Sequence, residues 1–186
     1  MLTSMLVEDG AVVRRISIGD DPELLIEHLR EEYETFAPDI IITSGGISHG
    51  KYEVVRNAIA MAPSLGLPIP LSWFGHVSQQ PGGPQGVNVL DFNGHRLPMI
   101  SFPGNPVSTL ISYVLMLRPY LRAGGPYGTP HEVASRMATL ENAPRGVLVI
   151  DKPLTAPANK RQFLRGNLAM VESEPGTYRV ELYPDV

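Results

Sequence analysis

The sequence contains no cysteine among its 186 residues. A disulfide framework, a thiolate metal site and a cysteine nucleophile are thereby excluded, and a reducing, cytoplasmic setting fits. It also lacks a basic excess. Fifteen Lys and Arg stand against 19 Asp and Glu, for a formal net charge of −4. Nucleic-acid binding driven by bulk charge is therefore not expected. Long apolar runs are missing too. The most apolar stretch, 107–117, is interrupted by Ser108, Thr109 and Ser112 and stops at Arg118-Pro119, too short for a membrane span. The first residues have no basic segment before Glu8 and Asp9, so no secretory signal is read there. Glycine and proline are abundant, at 18 each, and 43% of residues are hydrophobic. That composition suits one sizeable core, a small second domain and many turns.

The apolar spacing predicts α/β organisation. Residues 1–8 read as the tail of a helix that Gly10 stops, and 11–18, with Val12, Val13, Ile16 and Ile18, as a strand. A helix follows from Asp21, which can cap it, with Pro22 in its first turn. Leu25, Ile26, Leu29, Tyr33 and Phe36 form its apolar stripe, and Pro38 ends it. Residues 39–43 read as a strand apolar on both faces, and 52–61 as a helix with Val54, Val55, Ala58, Ile59 and Ala62 inward. This βαβα order predicts a mostly parallel sheet. Strands are expected at 69–77, 86–92 and 97–102, with Asn93-Gly94 as a hairpin turn. A long helix is expected over 105–122, with Asn105 as cap and Pro106 first. These elements make a first domain over 1–123. Residues 124–130 read as a linker. Residues 131–186 read as a small β domain with strands at 131–140, 146–152, 161–168 and 178–183 and no helix.

Two glycine loops could carry chemistry. Thr43-Ser44-Gly45-Gly46 follows a strand, and Ser48-His49-Gly50 leads into a helix. In an open α/β sheet ligands bind outside the carboxyl ends of strands. Bare backbone amides and a helix N-terminus there suit an anion. A glycine-rich turn with no ligand fits the same residues. Phe102-Pro103-Gly104-Asn105-Pro106 repeats the arrangement at the same expected sheet edge; a well-capped helix start is the plainer alternative. Glu53 could orient a metal or accept a proton, or simply favour a helix dipole. Asp20 and Asp21 could bind Mg²⁺, though capping alone explains Asp21. Arg161 and Arg165 lie in the most basic patch and could grip an oxyanion bidentately, or form a solvated strand face. No His pair, Ser/His/Asp order or dinucleotide fingerprint appears.

Four segments, Asp39-Ile40-Ile41-Ile42-Thr43-Ser44-Gly45-Gly46-Ile47-Ser48, Gln80-Pro81-Gly82-Gly83-Pro84-Gln85-Gly86, Ser101-Phe102-Pro103-Gly104-Asn105-Pro106-Val107-Ser108 and Arg161-Gln162-Phe163-Leu164-Arg165-Gly166, stand in the order found in the MoeA/gephyrin E-domain family. The chain resembles that family over most of its length. The resemblance implies a three-layer molybdopterin-binding α/β fold followed by part of an all-β domain. It implies molybdenum cofactor biosynthesis: molybdate is inserted into adenylylated molybdopterin, with AMP released and Mg²⁺ as cation. Thr43, Ser44, Gly45, Gly46, Ser48 and Gly50 would then line a substrate pocket, with Gly104, Asn105 and Ser108 in its second loop. Glu53 would match a functional acid, and Arg165 an arginine that contacts molybdate or substrate. A homodimer is implied, as are partners such as a MogA-type adenylyltransferase and molybdoenzyme apoproteins. Alternatives in the same fold are adenylyl transfer to molybdopterin and a non-catalytic binding or scaffold module.

The sequence departs from the family pattern in places. Many members carry Lys-Pro-Gly-Lys-Pro where this chain has Gln80-Pro81-Gly82-Gly83-Pro84, so two cations are missing. Glu53 replaces an Asp. The family's N-terminal domains and its Gly-Ser-His-like segment have no counterpart here. The chain is therefore expected to be a piece of a longer protein that keeps the pocket and does not complete the reaction alone.

Overall fold

The computed structural model describes residues 1–47, 53–125, 128–129, 131–132, 134–135, 147–149, 153–172 and 177–183. Helices α1 (Leu2–Glu8) and α2 (Pro22–Phe36) precede strand β1 (Ile41–Ser44) and helix α3 (Val54–Met61). Then come β2 (Leu71–His76), β3 (Gln79–Gln80), β4 (Pro84–Phe92) and β5 (His95–Phe102). Helix α4 (Pro106–Ser112) runs through a π-helical turn, Tyr113–Leu117, into α5 (Arg118–Arg122). Strands β6 (Val147–Val149), β7 (Arg161–Gln162), β8 (Gly166–Met170) and β9 (Thr177–Leu182) complete the order.

The expected caps are in place. The Asp21 carboxylate accepts from the amides of Glu23 and Leu24, satisfying donors that a helix start leaves open. Ala37 closes α2 in the left-handed region at φ 49°. Asn93 and Gly94, both at positive φ, make the two-residue turn between β4 and β5, the geometry that suits strand twist.

The main sheet runs β1-β5-β4-β2. It is mixed: β1 and β5 are parallel, whereas β4 pairs antiparallel with both β5 and β2. One face packs α2 and α3 through Leu25, Ile26, Leu29, Val55, Ala58 and Ile59 against Leu90, Leu97 and Met99. The other packs α1 and the α4–π turn through Leu6, Tyr113 and Leu117 against Phe102. Helices on both faces give the three-layer α/β fold, and a separate sheet β6-β9-β8 gives the small β unit. No helix among the described residues is long and apolar enough to cross a membrane.

Four expectations need correcting. Residues 161–168, expected as one strand, divide between β7 and β8, which belong to different sheets. Residues 11–18 form no strand. Arg14 explains part of this, because it binds Glu32 at 3.0 Å and Thr35 at 3.0 Å and lies over the Phe36 ring. The segment is thus tied to α2, while Ala11 and Val13 pack beneath β1. The helix at 105–122 is not uniformly α: the π turn falls just before Pro119, whose ring and missing N–H disfavour regular continuation. Of 131–140, read as a strand, residues 131, 132, 134 and 135 are helical. Thr129 and Glu132 explain it. The Glu132 carboxylate accepts from the Thr129 amide at 2.9 Å, and the Glu132 amide donates to Thr129 Oγ1 at 3.3 Å, a capping box. The Thr-x-x-Glu spacing was present in the sequence. The remainder of 131–140 lies outside the described residues, as does Tyr52 at the expected start of α3.

Asp9, at the C-terminal end of α1, is a heavily engaged carboxylate. Its side chain is 1% exposed and accepts from Arg118 Nε at 2.9 Å, from Arg122 Nη2 at 2.8 Å and from the Tyr113 hydroxyl. Burial pushes this carboxyl upward, but the hydrogen bonds from Tyr113, Arg122 and Arg118, with the Arg118 charge, outweigh it and hold Asp9 below its ordinary value. Burial and Asp9 together raise the Tyr113 hydroxyl. A folded-state pKa below the unfolded one stabilises above the unfolded value and is lost as pH falls through the folded value. Asp9→Asn is therefore expected to cost about 2–3 kcal/mol at neutral pH. The gap to wild type should close as pH falls below about 4, read from urea unfolding at a series of pH values.

Candidate functional site

The parallel register Ile41↔Met99 to Ser44↔Phe102 ends β1 and β5 side by side at their carboxyl ends. The loop after each strand therefore leaves from the same sheet edge. The two loops touch. The Gly45 amide donates to the Phe102 carbonyl at 2.9 Å. A Cβ on Gly104 would lie 3.3 Å from the Gly45 Cα, and one on Gly45 3.7 Å from the Gly104 Cα. Gly45 stands at φ 97° and Gly46 at φ 71°, where a side chain is strained. A Cβ on Gly46 would also meet Val55 Cγ2 at 2.8 Å and Val54 Cγ1 at 2.9 Å. Backbone approach and packing thus account for these three glycines before any ligand does.

The helix N-termini are engaged internally. The Gly46 carbonyl accepts from the Val55 amide at 3.2 Å and the Arg56 amide at 3.4 Å. Asn105 Oδ1 accepts from the Val107 amide at 3.0 Å and the Ser108 amide at 3.1 Å. These four helix-start amides are thus already partnered. Among the described residues, side chains add further hydrogen-bonding groups. Thr43 Oγ1 is buried and has no hydrogen-bond partner among the described residues, as do Ser101 Oγ and Asn88 Nδ2. Thr43 is the register partner of Ser101, so both hydroxyls lie on the face packed by α3. Such orphaned groups are rare enough to mark a place where something else is bound, water included.

Ser44 Oγ lies 3.2 Å from Thr109 Oγ1, and the Thr109 hydroxyl donates to the Pro103 carbonyl at 2.6 Å. Thr109 therefore ties the first loop to the second. It was not among the expected site residues, although its hydroxyl stands beside that of Ser108 in the first turn of the helix. Ser108 is buried within the first turn of α4, while Gly104 and Asn105 are exposed at its start. Glu53 precedes α3 with its carboxylate 3.8 Å from Arg56 Nε. Ser48 and Gly50, with His49 and Lys51, lie outside the described residues. Asp20 is exposed beside the cap of α2, and no cluster of three or more metal-ligating side chains occurs among the described residues.

The Gln80–Gly86 segment comes to the same region from a third side. Gly82 packs onto α4, where an added Cβ would lie 3.0 Å from Ser112 Oγ and 3.2 Å from the Ser108 carbonyl. The adjacent β3 pairs in parallel with β7, Gln80 opposite Gln162. Arg165, half-buried, follows β7 by three residues and its carbonyl accepts from the Tyr183 amide at 2.9 Å. The pairing joins the glycine-loop edge to the segment that carries Arg165.

Residues 1–123 match the family described as a probable molybdopterin binding domain. The chain belongs to this molybdopterin-binding family. Within it, the chain is 34% identical over 177 residues to molybdopterin molybdenumtransferase 2 of Mycobacterium tuberculosis, covering 95% of this chain and 39% of that relative. It is 31% identical over 126 residues to molybdopterin molybdenumtransferase of a Nostoc species, covering 67% of this chain and 27% of the relative. It is 32% identical over 102 residues to gephyrin of Dictyostelium discoideum, covering 48% of this chain and 13% of the relative. The chain thus spans well under half the length of these curated relatives. Both glycine loops lie inside the stretch matched to the molybdopterin-binding family, whereas Arg165 lies beyond it.

The packing around Gly46 makes a direct prediction. Gly46→Ala should destabilise the fold by about 1–3 kcal/mol, since the left-handed backbone and the Val54 and Val55 methyls both oppose a Cβ. Denaturant unfolding without any ligand should show the loss.

Proposed function

We propose that the paired loops after β1 and β5 bind adenylylated molybdopterin, and that the protein acts in molybdenum cofactor biosynthesis as a molybdopterin molybdenumtransferase. The observation that carries the reading is the parallel register of β1 with β5, which brings two strand–glycine loop–helix junctions together at one sheet edge. Crevices outside the carboxyl ends of such strands are where open α/β sheets bind ligands. The names of the relatives support the chemistry, and the match over 1–123 supports treating those residues as the binding domain.

In this reading Thr43, Ser44, Gly45, Gly46, Ser48 and Gly50 hold the phosphate end of the substrate, with Gly104, Asn105 and Ser108 opposite. Thr43 supplies a buried hydroxyl that has no partner within the described protein. Arg165 meets the oxyanion, as a guanidinium suits bidentate oxygen contacts. Molybdate enters at the dithiolene and AMP leaves. The segment Gln80-Pro81-Gly82-Gly83-Pro84 contributes no cation, so Arg165 carries more of the anion's charge than it would beside two lysines. Of the Mg²⁺ that the family likeness implies, the described residues near the loops offer the carboxylate of Glu53, which faces Arg56. A dication usually takes one or two carboxylates with substrate phosphates. These residues alone do not make its site, and no step is assigned through it. The same likeness carries a homodimer, a cytoplasmic location, and a MogA-type adenylyltransferase and molybdoenzyme apoproteins as partners.

Calorimetric titration with adenylylated molybdopterin tests this reading. Wild type should bind, and Ser108→Ala and Arg165→Ala should each weaken binding by about tenfold. Asn105→Ala should weaken binding and also cost about 1 kcal/mol of stability through the lost cap. Equal affinity across the wild type and all three variants would overturn the site. ATP-dependent AMP transfer to molybdopterin, in place of AMP release with molybdate, would favour the adenylyltransferase alternative.

A further inference from the structure

We infer that Gln85 is a positioning residue. It clamps the 79–83 segment onto α4, and through β3 it fixes the strand that leads to Arg165. This rests on the binding reading above for its ligand and on the geometry alone for its mechanics.

Gln85 is 4% exposed. Its amide nitrogen donates to the Gly82 carbonyl at 2.8 Å and to Ser112 Oγ at 2.6 Å. One side chain thus spends both N–H groups on two different elements, the loop and the helix. Ser112 is fully buried and lies one turn along α4 from Ser108. Gly82, at φ 90°, fits against both serines because it has no Cβ. Gln79, also buried, donates from Nε2 to the Pro81 carbonyl at 3.2 Å. The Val77 amide donates to the Gly83 carbonyl at 2.8 Å and closes the base of the loop. The segment is thus held by neutral amides.

What this strap holds is the junction between the two parts of the chain. The Arg161 amide donates to the Ser78 carbonyl at 2.9 Å, and the Phe163 amide donates to the Gln80 carbonyl at 2.8 Å. These bonds, with the β3·β7 pairing, carry position from α4 to the residues just before Arg165. The path is continuous: Ser108 and Ser112 to Gly82, Gly82 to Gln80, Gln80 to Phe163. Removing the Gln85 amide leaves the Gly82 carbonyl and the Ser112 hydroxyl without their shared donor. The loop then loses its attachment to α4, and the ladder to β7 opens more often.

The test uses Gln85→Met, which keeps length and volume, and Ser112→Ala, which removes one of the two acceptors. Amide hydrogen exchange is measured on the ligand-free protein. Arg161 and Phe163 amides should exchange about tenfold faster in Gln85→Met, and less than that in Ser112→Ala. The Gly45 amide, bonded to Phe102 across the other loop, should be unchanged. Unchanged Arg161 and Phe163 exchange, or an equal rise at Gly45, would overturn the strap. Binding then tests positioning. In the Gln85→Met background, Arg165→Ala should lose about threefold or less in affinity for adenylylated molybdopterin, against about tenfold in wild type. Strictly additive losses would overturn the positioning role. If wild type fails to bind the adenylylated probe, the functional reading falls, while the exchange result still decides the strap.

Discussion

The structure turns on a contact between two stretches of bare backbone. Gly45 and Gly104 approach so closely that a Cβ on Gly104 would sit 3.3 Å from the Gly45 Cα, with the Gly45 amide bonded to the Phe102 carbonyl. That approach is possible because β1 and β5 are parallel neighbours ending in register. It fixes where α3 and α4 begin, since each loop also supplies its helix with a cap: the Gly46 carbonyl for α3 and the Asn105 side chain for α4. The caps satisfy donors that each helix start would otherwise leave open within the chain. The loops are thus a packed junction first. Among the described residues, the junction leaves over the Thr43 hydroxyl, which has no partner there, and the exposed start of α4.

This changes how the glycines are understood. Backbone amides at a helix N-terminus attract an anion when they are free. Here the amides of Val55, Arg56, Val107 and Ser108 have internal acceptors. In the site proposed above, hydroxyls and the Arg165 guanidinium would add to the glycine loops, whose close approach also gives them their mutual fit. The Gln80–Pro84 segment carries no cation, and buried Gln79 and Gln85 hold it by neutral hydrogen bonds.

Much of the first domain was legible because local signals agreed with the fold. Asp21-Pro22 and Asn105-Pro106 both cap helices, and Asn93-Gly94 makes its hairpin turn. The stripe Leu25, Ile26 and Leu29 is buried. The misses have physical causes. Residues 11–18 carry β-branched side chains, yet Arg14 finds its partners on α2 and the segment joins no ladder. Strand direction was legible only at the Asn93-Gly94 hairpin, which makes β4 and β5 antiparallel; apolar runs alone do not set the direction of β2 against β4. The Thr129–Glu132 capping box was visible and outweighs the β-like composition that follows it. The proximity of Gly45 to Gly104 and the role of Thr109 depend on register across distant residues, which no local pattern encodes.

If the two loops form one binding site, a single ligand must perturb both. Amide chemical-shift mapping during titration with adenylylated molybdopterin reads this: Gly45 and Gly46 should shift together with Gly104 and Asn105, on one binding curve with a single dissociation constant. Shifts confined to one loop, or falling on neither, would contradict it.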